Sequence, residues 1–81
     1  MRIISQNGKF DLPYENLAIF VEYENVIARF ENERYLLGQY SSEAKVIKAM
    51  EMLRKAWKFE TGIYHRNIIF QFPHDSDERL N

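Results

Sequence analysis

Apolar and polar residues follow two periods along this chain, and the change of period marks its elements. In residues 41–59 an apolar side chain recurs at every third or fourth position, namely Val46, Met50, Leu53 and Trp57, with Ala49 and Ala56 beside them. At about 100° per residue these positions form one stripe, which predicts an amphipathic helix. The hydroxyl of Ser41 or Ser42 is the expected N-terminal cap. Thr61 and Gly62 are the expected stop, because glycine adopts the left-handed conformation at little cost.

Shorter apolar segments predict strands, in which successive side chains face opposite ways. The longest is residues 17–23, where Ile19 and Val21 face one way and Phe20 the other. Gly38 lies inside a predicted strand, so we expect either a bulge or close packing under the helix there. The other predicted strands and extended pieces are residues 1–5, 10–13, 26–30, 35–40 and 67–72. The expected turns between them are residues 6–9, 24–25 and 31–33.

These elements together predict an α+β domain. An antiparallel sheet of four or five strands should pack one face on the helix, in the order β-β-β-β-α-β. The strand after the helix should insert at or near the first strand. The opposite sheet face should be open to water or to a partner. Residues 1–74 are expected to form this single domain, and residues 75–81 an acidic, flexible tail.

Composition and charge limit the functional classes. The chain has 81 residues, no cysteine and a net charge of −1. Its length fits one domain, and the lack of cysteine fits a reducing cytoplasm. No apolar run approaches the roughly 20 residues of a membrane span, so no membrane partner is expected. The near-zero net charge argues against nucleic-acid binding by bulk charge. Residues 15–34 contain five acidic and two basic side chains, whereas residues 42–58 contain five basic and two acidic ones.

Candidate chemical sites are few. His65 and His74 lack a nucleophile in a supporting context, so we predict no catalytic residue and no enzyme activity. His74 is followed by Asp75, Asp77 and Glu78, which are ligand types that zinc accepts. A metal site that these residues share with His65 or with a symmetry-related copy is therefore an alternative, although we expect no metal or other cofactor. With three glycines in the chain there is no glycine-rich phosphate loop.

Four segments resemble a known group of sequences. They are MRIISQNG at residues 1–8, LPYEN at 12–16, YSSEAKVIKAMEMLRKAW at 40–57 and FQFPHDSDE at 70–78. Together they resemble a family of small proteins encoded by phages, prophages and other mobile elements of Gram-positive bacteria. The family carries no established activity or catalytic residue to transfer. Small non-enzymatic proteins of such genomes often inhibit host defence, as anti-CRISPR proteins do. The resemblance therefore implies a cytoplasmic protein of a bacterial host that covers a surface of a host protein, such as a CRISPR-associated nuclease complex.

Two functional hypotheses follow. The leading one is a non-catalytic protein-binding module, and the alternative is a metal- or nucleic-acid-binding accessory protein of phage or mobile-element DNA metabolism. Interface cores are enriched in aromatic residues and arginine and depleted in lysine. Binding is therefore expected on the open sheet face and its hairpins rather than on the lysine-rich helix exterior. The predicted partner-binding residues are Phe20, Arg29, Phe30, Arg34 and Tyr35.

Overall fold

A computed structural model describes residues 1–62 and 68–81, with side chains described for 1–58 and 68–81. The strands are β1 Arg2–Ile4, β2 Asp11–Pro13, β3 Ala18–Glu22, β4 Asn25–Phe30, β5 Glu33–Gln39 and β6 Ile69–Gln71. The helix α1 is Glu43–Gly62, and two short 3-10 turns are Tyr14–Asn16 and Glu78–Leu80. The predicted α+β class is confirmed.

The strands form two three-stranded sheets, which differs from the single sheet of four or five strands that the sequence predicted. The first sheet has the order β2-β1-β6, and β6 pairs with β1 as expected, in parallel. The second is the antiparallel meander β3-β4-β5. Five strands rather than four precede the helix, because β2 pairs with β1 along its whole length. Pro13 has no amide hydrogen, and a 3-10 turn follows it at once, so the chain leaves the first sheet before β3 begins.

Gln6 joins the two sheets at the ends of β1 and β5. Its amide donates to the Leu37 carbonyl at 2.7 Å, and its side-chain oxygen accepts from the Gln39 amide at 3.1 Å. Its side-chain nitrogen donates to the carbonyls of Gln39 and Pro73 at 3.1 and 3.0 Å. The Tyr40 hydroxyl also donates to the Pro73 carbonyl, at 2.8 Å. These bonds connect three segments that are distant in sequence.

The bulge predicted at Gly38 is confirmed, and the close packing at this residue is against the ring of Tyr40. Val26 lies opposite Gly38, whereas the next residue of β4 lies opposite Leu36, so Leu37 is the extra residue of a bulge. The ring of Tyr40 lies directly over Gly38. A Cβ atom at this glycine would come within 2.8 Å of the ring. The missing side chain therefore makes room for a buried tyrosine.

The helix begins and packs as the apolar stripe predicts. The Ser42 hydroxyl accepts from the Lys45 amide at 3.3 Å, so Ser42 is the N-terminal cap. Trp57 is half-buried, and its ring centroid lies 4.7 Å from that of Tyr14. The core combines helix and strand residues, among them Ile3, Val26, Ala28, Leu37, Val46, Ala49, Leu53, Phe70, Phe72 and Leu80. Within the described ranges, no helix is both long and apolar enough to cross a membrane.

The last residues pack on the domain, in contrast with the flexible tail that the sequence suggested. Leu80 is 3% exposed and belongs to the core. Asp75 accepts from the Ser41 amide at 2.8 Å, and the Asp75 carbonyl accepts from the Lys45 ammonium at 2.7 Å. The side chain of Asp77 caps the final 3-10 turn. The flexible tail was predicted from the acidic composition of the segment. Leu80, its one buried apolar residue, packs in the core instead.

Candidate functional site

The sheet β3-β4-β5 turns one face to the helix and the other to solvent, and we call the solvent side the open face. Arg29 lies opposite Ala18 on β3 and opposite Arg34 on β5. Phe20 is two residues beyond Ala18, so it points to the same side. Three of the five predicted binding residues, Phe20, Arg29 and Arg34, therefore share the open face.

Phe30 and Tyr35 lie on the opposite face, which corrects their place in the predicted set. Phe30 follows Arg29 directly, and successive side chains of a strand point to opposite sides. Tyr35 is paired with Ala28, which is fully buried on the helix side. Its ring packs edge-on against Phe10 with 5.1 Å between centroids. Both aromatic residues are half-buried, and Tyr35 packs against the core.

The centre of the open face is apolar. Ile27 lies between Phe20 on β3 and Leu36 on β5. Ile27 is 7% exposed although it lies outside the main core, and Leu36 is 42% exposed. These three side chains form an apolar strip across the sheet. Ile27 and Leu36 are not among the residues predicted from the sequence, although strand alternation places both beside Phe20 once the pairing is known.

Charged side chains border this apolar strip. The Arg34 guanidinium lies 5.6 Å from the centroid of the Phe20 ring, a cation–π contact. It also donates to the Glu22 carboxylate at 2.9 Å. Arg29, by contrast, is exposed and has no ion pair within the part of the chain that the structure describes. Two arginines thus face each other across adjacent strands, and the carboxylate of Glu22 compensates one of them.

The carboxylates suggested as metal ligands have other roles. Hydrogen bonds from the Ser41 amide and hydroxyl, together with Lys45, lower the pKa of Asp75. Hydrogen bonds from the Arg79 side chain and amide lower the pKa of Asp77 to about 2. Both carboxylates are therefore used to fasten the end of the chain.

The histidines do not complete such a site in the described structure. His74 is exposed, and His65 lies outside the described residues. Among the side chains that the structure describes, those of residues 1–58 and 68–81, no group of three His, Asp or Glu is arranged to hold a metal ion. No family model, curated protein or solved structure matches this chain. The geometry of the open face is thus the basis for a functional proposal.

Proposed function

We propose that this protein is a small non-catalytic binding module that docks its open face on an acidic patch of a larger protein. The observation that carries the proposal is the direct pairing of Arg29 with Arg34 across two strands. Like charges in such a pair destabilise a sheet. The same two guanidinium groups, side by side, offer a planar array of donors for carboxylates. A carboxylate-bearing partner would turn an unfavourable pair into a binding feature.

The apolar strip beside the arginines supports the same proposal. Interface cores combine aromatic or aliphatic anchors with arginine, and a polar rim surrounds them. Phe20, Ile27 and Leu36 provide the apolar part, and Glu22 lies at the edge. The arginine next to Phe20 is already held by its contact with that ring and with Glu22. Such preorganisation lowers the entropy lost on binding.

We further propose a partner among host defence nucleases in the bacterial cytoplasm. The support is the resemblance of the chain ends and the helix to small proteins of phages and mobile elements. Nucleases that use metal ions gather carboxylates around those ions. An arginine pair on a small, stable scaffold is complementary to such a surface, so inhibition by occupation of a protein surface fits both features.

The substitution Arg29→Glu tests the proposal, because it should change stability and binding in opposite directions. It replaces a like-charge pair by an opposite-charge pair with Arg34, which should stabilise the fold by about 0.2–1 kcal/mol. It also places a negative charge against the acidic partner, which should weaken binding at least about tenfold. Lys48→Glu is the matched control, since Lys48 is an exposed base on the helix.

The partner is first isolated from a lysate of the bacterial host with the tagged protein, and affinities are then measured with the purified pair. Thermal melts of each variant give the stability. We expect one stoichiometric partner whose nuclease activity falls when the protein is added. If the lysate yields no stoichiometric partner whose nuclease activity falls, the proposed function is refuted. If Lys48→Glu weakens binding more than Arg29→Glu does, the helix and not the open face is the interface.

A further inference from the structure

The outer edge of β3 is unpaired. In the sheet β3-β4-β5 this strand pairs on one side with β4, and no backbone hydrogen bond among the described residues joins its other side to a neighbouring element. Exposed edges offer a row of amides and carbonyls to any added strand, and proteins often block them with lysine or proline. The sequence of β3 is AIFVE, which contains neither. The edge is thus open to strand addition.

Two grooves lie between this strand and the helix. The first has a volume of about 590 Å³ and lies beside the start of β3. Leu17 and Ile19 line it on the strand side, and Met50, Leu53 and Trp57 line it on the helix side. Its floor is the edge of the core, because Leu53 is 2% exposed.

The second groove has a volume of about 510 Å³ and lies beside the end of β3. Val21 and Tyr23 line it on the strand side, and Val46 and Ile47 line it on the helix side. Val21 and Ile47 are 44% and 49% exposed. Tyr23 is 84% exposed and has a φ of 57°, an uncommon conformation for a bulky residue. A large aromatic ring therefore projects at the mouth of this groove.

The two grooves are halves of one cleft, which we call the β3–α1 cleft. The helix residues that line them fall within roughly a third of the helix circumference at about 100° per residue. The strand side from Leu17 to Tyr23 spans about 20 Å at about 3.3 Å per residue. The helix side from Glu43 to Trp57 spans about 21 Å at about 1.5 Å per residue. Strand and helix run in opposite directions along the cleft, and their lengths match.

The ends of the cleft carry opposite charges. Glu24 and Glu43 line the end near the β3–β4 turn, and neither has an ion pair among the described residues. Arg54 lines the other end and also lacks one within that part of the chain. Glu15 lies near Arg54, but the Met1 α-amino group donates to its carboxylate at 2.8 Å and lowers its pKa. The uncompensated groups are thus acidic at one end and basic at the other.

We propose that the β3–α1 cleft binds an extended peptide segment as a fourth strand, antiparallel to β3. Antiparallel pairing continues the pattern of this sheet and is the slightly more stable arrangement. A cleft of about 20 Å holds six or seven extended residues. Alternate side chains of the peptide enter the grooves and are apolar. This is recognition by strand addition, in which backbone bonds give affinity and pockets give specificity.

Direction and charge together define the peptide further. β3 runs from the Arg54 end of the cleft towards Glu24 and Glu43. An antiparallel peptide therefore begins beside Glu24 and Glu43 and ends beside Arg54. Its first residue is basic and its last is acidic. This site differs from the open face, because Ile19 and Val21 point to the helix side of the strand while Phe20 points away.

The test uses synthetic seven-residue peptides and the ¹⁵N-labelled full chain. The peptides have lysine first, glutamate last, threonine at the even positions and valine, isoleucine, leucine or phenylalanine at the third and fifth positions. Titration is followed by amide chemical shifts, which should move along β3 and along α1. Exchanging the terminal lysine and glutamate should weaken binding by about fivefold, because both ends then meet like charges.

Backbone methylation provides the decisive control. Two further versions of the best peptide carry backbone N-methyl groups. In the first, the methylated amides are those of alternate residues that point towards β3. In the second, they are the amides of the intervening residues, which point away from β3. The first version loses the donors of the added strand and should bind at least about tenfold more weakly. The second directs its methyl groups to solvent and should bind as the parent does. Equal binding of the two versions would overturn strand addition.

Protein variants locate the site independently of the partner proposed for the open face. Val21→Asp and Ile47→Asp should each weaken peptide binding at least about tenfold, because each puts a charge in an apolar groove. Ile69→Asp is the matched control, since Ile69 is 58% exposed on β6 of the other sheet, and it should have no effect. Arg29→Glu should also leave peptide binding unchanged. No binding by any peptide at millimolar concentration, or shifts confined to the first sheet, would refute the site.

Discussion

Leu80 is the residue by which the end of the chain is fastened to the core, and Leu80→Ala tests that role. The side chain is 3% exposed and belongs to the core, and the 3-10 turn that carries it contacts the helix. Two hydrogen bonds near it are exposed: the Ser41 amide donates to the Asp75 carboxylate, and the Arg79 guanidinium donates to the Asp77 carboxylate. Exposed polar pairs of this kind contribute little to stability. The apolar contact of Leu80 should therefore provide most of the stabilisation.

The expected magnitude follows from the atoms removed. Leucine to alanine deletes three carbons, which at about 0.8 kcal/mol each is about 2.4 kcal/mol of transfer free energy. A cavity term adds to this where the surroundings cannot collapse. Because Leu80 lies in a 3-10 turn of three residues, neighbouring atoms can relax into the space. We therefore expect a loss of about 2–3 kcal/mol, near the lower end of measured substitutions in protein cores.

Thermal and chemical denaturation measure this loss. A domain of this size has a free energy of unfolding of about 4–12 kcal/mol, so the change is a large fraction of the total. The melting temperature should fall by about 8–24 °C. Leu36→Ala is the matched control, because it deletes the same atoms from a side chain that is 42% exposed on the open face. Its cost should stay below about 1 kcal/mol.

Two results would refute the reasoning. An unchanged melting temperature for Leu80→Ala would mean that the end of the chain does not pack on the core. A small effect of Leu80→Ala together with a large effect of removing residues 78–81 would mean that the backbone or the polar bonds fasten the segment. The second result would mean that the exposed hydrogen-bonded pairs contribute more to stability than the apolar contact of Leu80.

Three further predictions concern the same core and its border. Leu53→Ala, at a helix position that is 2% exposed, should cost about 2–5 kcal/mol in denaturation experiments. Gly38→Ala should cost about 1–3 kcal/mol because its Cβ displaces the Tyr40 ring. In the Gly38→Ala protein, Tyr40→Phe should lower the free energy of unfolding by less than it does in the parent protein, which a double-mutant cycle measures. The pKa of Asp77 is lowered to about 2 and that of Asp75 is lowered as well, so the stability they add is present above their ordinary pKa of about 4 and is lost as the pH falls through the lowered values. In thermal melts between pH 7 and pH 2, the melting temperature of the double variant Asp75→Asn/Asp77→Asn should therefore fall less with acidification than that of the parent protein.

Local pattern was sufficient to predict the helix and the second sheet. The expected helix of residues 41–59 is observed as Glu43–Gly62, and the expected strands at 26–30 and 35–40 are observed as Asn25–Phe30 and Glu33–Gln39. These elements are defined by their own periodicity, so a window of neighbouring residues contains the information. The bulge at Gly38 belongs to the same class, because a glycine inside a strand usually marks a bulge or a close approach of neighbouring atoms.

The division into two sheets could not be predicted in this way. It depends on which strands pair, and the groups that join the sheets lie far apart in sequence. Gln6 reads as a polar turn residue, yet its side chain bonds to residues 33 and 67 positions away. The packed end of the chain was missed for a related reason. One leucine among acids carries no periodic signal, and its burial depends on a space that the rest of the fold creates.

The face on which a strand residue lies depends on register, which the sequence does not show. Of the five residues predicted for the open face and its hairpins, Phe20, Arg29 and Arg34 lie on the open face and Phe30 and Tyr35 on the other, and their role in binding stays a prediction. A shift of one position moves a side chain across the sheet, so composition alone cannot separate the two faces. The β3–α1 cleft could not be predicted from the sequence. It lies between the edge of β3 and the helix, and β4 and β5 separate these two elements in the chain.

The composition of β3 and its position in the sheet are in conflict. Residues 17–21 read LAIFV, an unbroken apolar run of the kind found in strands that are covered on both faces. The structure instead places this strand at the edge of its sheet, with Val21 44% exposed and Phe20 half-buried. An exposed apolar edge is an aggregation hazard unless something covers it. A partner on the open face and a peptide strand along the free edge would each cover part of it. The sequence of β3 is therefore better suited to the bound protein than to the free one, and this mismatch supports both binding proposals independently of the resemblance to mobile-element proteins.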